Sequence, residues 1–157
     1  MTTVAYDTDT ATAIIAAHDA RPERLVQILA EFVERFGWIS EDAIRHLADA
    51  LNLSRADVHG VVSYYHDFRT EPPGRHVVKI CTAEACQSMG SRALTDHAAK
   101  SLGVGMHESS AEVTLEPVYC LGNCACSPAI MVDGKTYGRV TAERFDSIVA
   151  AARENHS

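Results

Sequence analysis

Four of the five cysteines fall into two pairs, Cys81 with Cys86 in CTAEACQSMG and Cys120 with Cys124 in CLGNCACSP, and each pair follows a β-like apolar run. Thiolates are soft ligands suited to zinc and to iron–sulfur chemistry, so the arrangement reads as a four-thiolate metal site. A [2Fe–2S] cluster takes four ligands, two for each iron, and two pairs supply that count. The chain between Cys86 and Cys120 holds one expected helix and one expected strand, enough to bring the second pair back beside the first, with each pair on one iron.

A structural zinc site with the same four ligands is the alternative. Generic zinc modules favour C-x2-C or C-x2-4-C knuckles in both halves, whereas here the first pair encloses four residues and the second three. The tight cysteine run of a [4Fe–4S] ferredoxin is absent, none of the eight histidines forms the C-x-H pair of a Rieske centre, and there is no C-x-x-C for dithiol catalysis. Cys126, two positions beyond Cys124, reads as a small buried residue near the cluster rather than as a spare ligand. A thiolate-bound cluster is an anion, so its loops must offer dipoles. Gly90, Gly122 and Asn123 are expected to let backbone N–H groups approach sulfur, with Cys86 near the positive start of the helix that follows.

Composition sets the frame around this site. The 157 residues are 46% hydrophobic and 22% charged, ordinary for a globular protein. No apolar run approaches the about 20 residues that span a bilayer, and the start lacks a basic secretory n-region, so a cytoplasmic location is expected. There, clustered cysteines favour metal chemistry over disulfides. The net charge of −7 divides as −5 over residues 1–70 and −2 over residues 71–157, so neither half suits a phosphate backbone.

The elements that must position the cysteines follow from periodicity. Leu25, Ile28, Leu29, Phe32, Val33 and Phe36 recur on one helical face between Pro22 and Gly37. Ser40 opens a second helix with Ile44, Leu47, Ala48 and Leu51 as its stripe and Asn52 as its stop, and Ser54 with Asp57 forms a capping box before Val58, Val61, Val62 and Tyr65. Residues 1–19 read as a tail, 20–70 as a three-helix domain and 71–75 as a linker, since FRTEPPGRH breaks the period. Residues 76–157 change grammar. A strand over 76–81, a helix over 87–102 ended by Gly103, a strand over 113–121, a hairpin about Asp133-Gly134 with arms 129–132 and 135–140, and a helix capped by Thr141 give β-α-β-β-α. The class is α+β.

Taken together, C-x4-C and C-x3-C at Cys81, Cys86, Cys120 and Cys124, with the helical stretch ending LNLSRADVHGVVSYYHDF, resemble the thioredoxin-like [2Fe–2S] subunits of NADH-dehydrogenase-type complexes. The likeness covers roughly residues 20–150. Within that family, CQSMG and CLGNCACSPA look most like the gamma subunit of soluble NAD-dependent formate dehydrogenases. The resemblance implies a thioredoxin-like domain holding one [2Fe–2S] cluster and a partner subunit that carries FMN and the NAD site. It also implies a further iron–sulfur and molybdenum-type catalytic subunit. The equivalent subunit of respiratory complex I or of an NAD-reducing hydrogenase is the alternative. The sequence agrees that this chain performs no bond chemistry of its own: no dinucleotide or P-loop fingerprint occurs and no acid–base pair stands out.

Two other functions compete for the same residues. Helices at 40–51 and 54–66 have helix-turn-helix spacing, but Arg45 and Arg55 are opposed there by Glu41, Asp42, Asp49, Asp57 and Asp67, which would repel phosphate. A free-standing carrier ferredoxin would need only the β-α part, so the helical extension argues for a docked subunit. Tyr64, Tyr65 and Phe68 read as packing between domains or as a docking surface, and His59, His66 and His97 as ordinary surface or interface residues.

Overall fold

The computed structural model describes residues 6–154, which leaves the first five residues of the expected tail and the last three of the expected C-terminal domain outside the description. The chain divides into two compact units between Pro72 and Pro73.

The first unit is helical. Helix α1 (Thr8–Ala17) occupies most of what reads as a tail in the sequence: Asp7 caps it by accepting the Thr10 N–H at 2.8 Å, and Ala11, Ile14 and Ile15 are buried. Its stripe is one turn of apolar residues among threonines and alanines, too short for periodicity to reveal it. After a 3-10 turn at Pro22–Arg24, α2 (Leu25–Phe36) buries Leu25, Ile28, Leu29, Phe32 and Phe36 and ends on Gly37 in the left-handed conformation, φ +85°. Helix α3 (Glu41–Leu51) starts on the Ser40 cap and stops at left-handed Asn52, and α4 (Arg55–Tyr64) carries the expected Ser54–Asp57 capping box in both directions. The buried faces of all four helices join Ile39 and Phe68 in one core.

The second unit is built on a five-stranded mixed sheet in the order β2-β3-β1-β4-β5. Strand β1 (His76–Cys81) lies at its centre, parallel to β3 (Val113–Val118) and antiparallel to β4 (Ile130–Val132). The edges are β2 (Glu108–Ser109), two polar residues with no apolar signal in the sequence, and β5 (Lys135–Tyr137). At the hairpin tip Asp133 and Gly134 both have positive φ, +48° and +83°, the pair that a type I′ turn demands. Between β1 and β3 run α5 (Glu84–Ser88) and α6 (Ser91–Leu102), and α7 (Ala142–Glu154) closes the chain. Leu94 and Ala98 of α6 and Phe145 and Val149 of α7 share a core with Val78, Ile80, Leu115, Ile130 and Val132.

Three expected boundaries shift, each for a local reason. The helix expected over 87–102 is two helices, because Gly90 adopts φ +95° and a left-handed residue breaks the α ladder. The second strand leaves the sheet after Val118 instead of running to Leu121. The hairpin's outer arm stops at Tyr137 because the Arg139 and Val140 N–H groups turn to the carbonyls of Cys126 and Pro128.

Candidate metal centre

The parallel pairing of β1 with β3 places the site. Cys81, the last residue of β1, stands in register with Val118, the last of β3, so the loops leaving both strands emerge side by side at one end of the sheet. The first loop carries Cys81 and Cys86 and the second Cys120, Cys124 and Cys126. Cys81 is held from several directions: its N–H donates to Ala129 O at 3.0 Å, its carbonyl accepts from the buried Ser91 hydroxyl at 2.5 Å, and the next N–H, of Thr82, donates to Val118 O at 2.8 Å. Cys86 lies inside α5, not near the start of the longer helix that follows, and packs with Cys81 and Ala129 in a small apolar cluster edged by Ala83, Val118 and Leu121.

The second pair sits in a less protected setting. Cys81 and Cys86 are each 2% exposed, whereas Cys120 and Cys124 are exposed and Cys126 is half-buried. Gly122, at φ +69°, turns its N–H onto Cys120 Sγ at 3.3 Å, as the sequence leads one to expect. The Gly90 N–H goes instead to Gln87 O, and the Asn123 carbonyl accepts from the Cys126 N–H. Cys124–Cys126 forms a 3-10 turn. Behind it lies Gly138, where a Cβ would stand 2.6 Å from Cys126 Cβ.

The sulfurs perturb one another in twos. Burial pushes the Cys81 thiol up, with the adjacent Cys86 adding to the effect. Burial acts the same way on Cys86, but hydrogen bonding with Ser127 and Cys81 and to the Ala129 backbone outweighs it and holds Cys86 below the usual thiol range. Cys124 is raised by its hydrogen bond with Cys120 and by that neighbour's charge, and Cys86 contributes across the gap between the loops. Two thiolates side by side repel, and a bound cation would relieve that repulsion. Among the described residues no three His, Cys, Asp or Glu side chains stand where one metal ion would be shared. The sulfurs are gathered as pairs, one pair to each loop. Four soft donors, an apolar floor and an N–H aimed at sulfur fit an iron–sulfur group with thiolate ligands.

Ser127, Ser91 and Gly138 also shape the site, and none of the three stands out in the sequence. Serine and glycine are common loop residues, and only the fold shows what stands opposite them. In the helical unit Phe68 is core, while Tyr64 and Tyr65 are exposed with their rings edge to face, centroids 5.1 Å apart. His97 bonds to Asp146 at 2.9 Å, a surface pair.

Comparison with known proteins bears on the same site. The sequence pattern of a family described as thioredoxin-like [2Fe-2S] ferredoxin matches residues 11–153. A subunit of the NADH-quinone oxidoreductase of Pseudomonas aeruginosa is 33% identical over 117 residues, which are 73% of this chain and 70% of that protein. Its counterpart in the NADH-quinone oxidoreductase of Escherichia coli is 32% identical over 115 residues, 72% of this chain and 69% of its own length. Among solved structures, a chain of the NAD+-reducing [NiFe]-hydrogenase in its air-oxidized state superposes with a TM-score of 0.72 at 21% identity, and this is a likeness of fold. It covers 84% of this chain and 23% of the hydrogenase chain, so the present protein spans about a quarter of that chain's length.

Proposed function

The chain belongs to the thioredoxin-like [2Fe–2S] ferredoxin family, and from that premise we propose that it transfers single electrons through one [2Fe–2S] cluster held by Cys81, Cys86, Cys120 and Cys124. The observation that carries the reading is the delivery of two thiol pairs by adjacent loops at the ends of parallel strands β1 and β3. The bound cluster supplies one-electron exchange. The chain's own residues hold and shield it: Cys81 and Cys86 anchor one side in the apolar floor, Gly122 offers its N–H to Cys120, and the exposed Cys120 and Cys124 leave the other side open to a partner. The chain makes and breaks no bonds of a substrate.

The partner we propose is the flavin- and NAD-binding subunit of an NADH-dehydrogenase-type complex, with FMN exchanging electrons with the cluster. The NADH-quinone oxidoreductase relatives and the hydrogenase fold likeness favour a complex of the complex I or NAD-reducing hydrogenase kind over the formate dehydrogenase suggested by CQSMG and CLGNCACSPA. The formate dehydrogenase reading, with its molybdenum-type catalytic subunit, rests on those two strings alone. Among the described residues no helix is long and apolar enough to cross a membrane. A cytoplasmic setting, which keeps thiols reduced, is part of the proposal.

Single replacement of Cys81 or Cys120 by alanine tests the ligand set, with loss of the visible charge-transfer absorption as the expected result. Retention of the full spectrum in both variants would refute it. Purification of the tagged chain from its native cell, with NADH, hydrogen and formate oxidation assayed on the co-purifying complex, decides which enzyme it serves.

A further inference from the structure

The sulfur of Cys86 is hydrogen-bonded to a side chain from the other cysteine loop. Its thiol donates to Ser127 Oγ at 3.4 Å, and the Ser127 hydroxyl donates to the Cys124 carbonyl at 2.8 Å. One hydroxyl therefore links the first pair's sulfur to the second pair's backbone. It does so away from water, since Cys86 is 2% and Ser127 9% exposed.

That chain of donors cannot persist once Cys86 binds metal. A ligating Cys86 has lost its proton, so its contact with Ser127 survives only if the hydroxyl reverses and donates to sulfur. Two acceptors then compete for one O–H: an anionic sulfur and the neutral Cys124 carbonyl. Charge-assisted hydrogen bonds are roughly twice as strong as neutral ones, so the sulfur prevails.

We propose that Ser127 is a positioning and tuning residue of the cluster site, its hydroxyl donating to Cys86 Sγ and raising the reduction potential above that of the same site without it. This rests on the cysteine assignment made above. Reduction adds one negative charge, and a donor already aimed at a ligand sulfur stabilises the reduced state more than the oxidised one. Burial makes the effect specific, because no water stands ready to replace the lost donor.

The test uses the full chain, reconstituted with iron and sulfide, as wild type, Ser127→Ala, Ser127→Thr and Ser127→Val. Each is assayed for iron and sulfide content, for midpoint potential by EPR-monitored titration, and for exchangeable-proton couplings in H2O and D2O. Alanine is expected to shift the midpoint to more negative values at unchanged iron content and to remove one exchangeable coupling. Wild-type midpoint and couplings in the alanine variant would overturn the proposal. If alanine prevents loading, threonine and valine decide, since they differ by hydroxyl against methyl in the same shape: a more negative midpoint for valine supports the proposal and equal midpoints overturn it. Wild-type chain that takes up no iron and sulfide would overturn the cluster assignment itself, and this proposal with it.

Discussion

Gly138 backs the second cysteine loop, and replacing it by alanine should loosen the cluster more than it loosens the fold. An added Cβ would stand 2.6 Å from Cys126 Cβ, 2.7 Å from Asn123 Nδ2 and 2.8 Å from Cys126 O. Carbon atoms in ordinary contact are about 3.5–4.0 Å apart, so the deficit is about 1 Å. Of the three atoms only the Asn123 amide can swing away, so the Cys124–Cys126 turn must move or the Gly138 backbone must retreat. Retreat strains the Arg139 N–H to Cys126 O bond, now 2.6 Å long. Overpacking of this kind costs about 1–3 kcal/mol and a weakened hydrogen bond about 1 kcal/mol more. If the loaded loop carries even half of that strain, cluster affinity falls by about tenfold, since about 1.4 kcal/mol is one decade. Gly134→Ala is the control: φ is +83° and nothing lies within 4 Å of its Cβ, so it costs about 1–2 kcal/mol in backbone strain alone. The assay is the rate at which a chelator bleaches the reconstituted protein, beside urea unfolding of the metal-free form. Bleaching of Gly138→Ala no faster than Gly134→Ala would show that Gly138 does not support the cluster loop.

Other substitutions separate core from surface. Phe32→Ala, at a fully buried position, should cost about 3–5 kcal/mol in urea unfolding, whereas Tyr64→Ala, on a side chain 75% exposed, should stay within about 0.5 kcal/mol of wild type. Ser54→Ala removes the α4 cap and should cost about 1 kcal/mol by the same measurement. The Tyr6 phenol is pushed up to about 12 by burial and by the charges of Asp42 and Asp7. A group whose folded pKa exceeds its unfolded value stabilises the fold below the unfolded value, about 10, and that contribution is lost as pH climbs towards the folded one; Tyr6→Phe should remove this alkaline step in the urea midpoint. Asp146 is held below the usual carboxylate range chiefly by its hydrogen bond from His97, with Ser101 adding to it against the opposing effect of burial. Its contribution is present above the unfolded carboxylate pKa, about 4, and lost as pH falls through the lower folded value. His97→Ala should therefore flatten the acid limb of the urea midpoint against pH.

Much of this fold and site was legible because the signals were local. Ser40, Ser54 with Asp57, Gly37, Asn52 and Gly103 announce helix ends through their own capping chemistry, and Asp133-Gly134 announces its turn through the φ it permits. The cysteine pairs were legible as pairs because the two members of each come at short spacing from a single loop. Helix α1 was not, since its three buried residues gain their meaning from the core they join. Gly90 was read for its small size, yet its left-handed backbone divides α5 from α6. Ser127 and Gly138 were invisible for a plainer reason: each acts on atoms of a segment brought alongside by tertiary packing. The formate dehydrogenase likeness drew on two short strings, CQSMG and CLGNCACSPA, which cannot outweigh relatives aligned over 117 and 115 residues.

The central claim is that Cys81, Cys86, Cys120 and Cys124 hold a two-iron cluster that accepts one electron. It is tested most directly by EPR of the purified full-length chain, as isolated and after dithionite reduction, with iron, sulfide and zinc assayed on the same sample. The expected result is an EPR-silent oxidised protein, a rhombic S = 1/2 signal on reduction, and iron and sulfide in equal amounts at about two of each per chain. Stoichiometric zinc in protein made under anaerobic, iron-replete conditions, with no signal on reduction, would contradict it and leave a structural zinc site in its place.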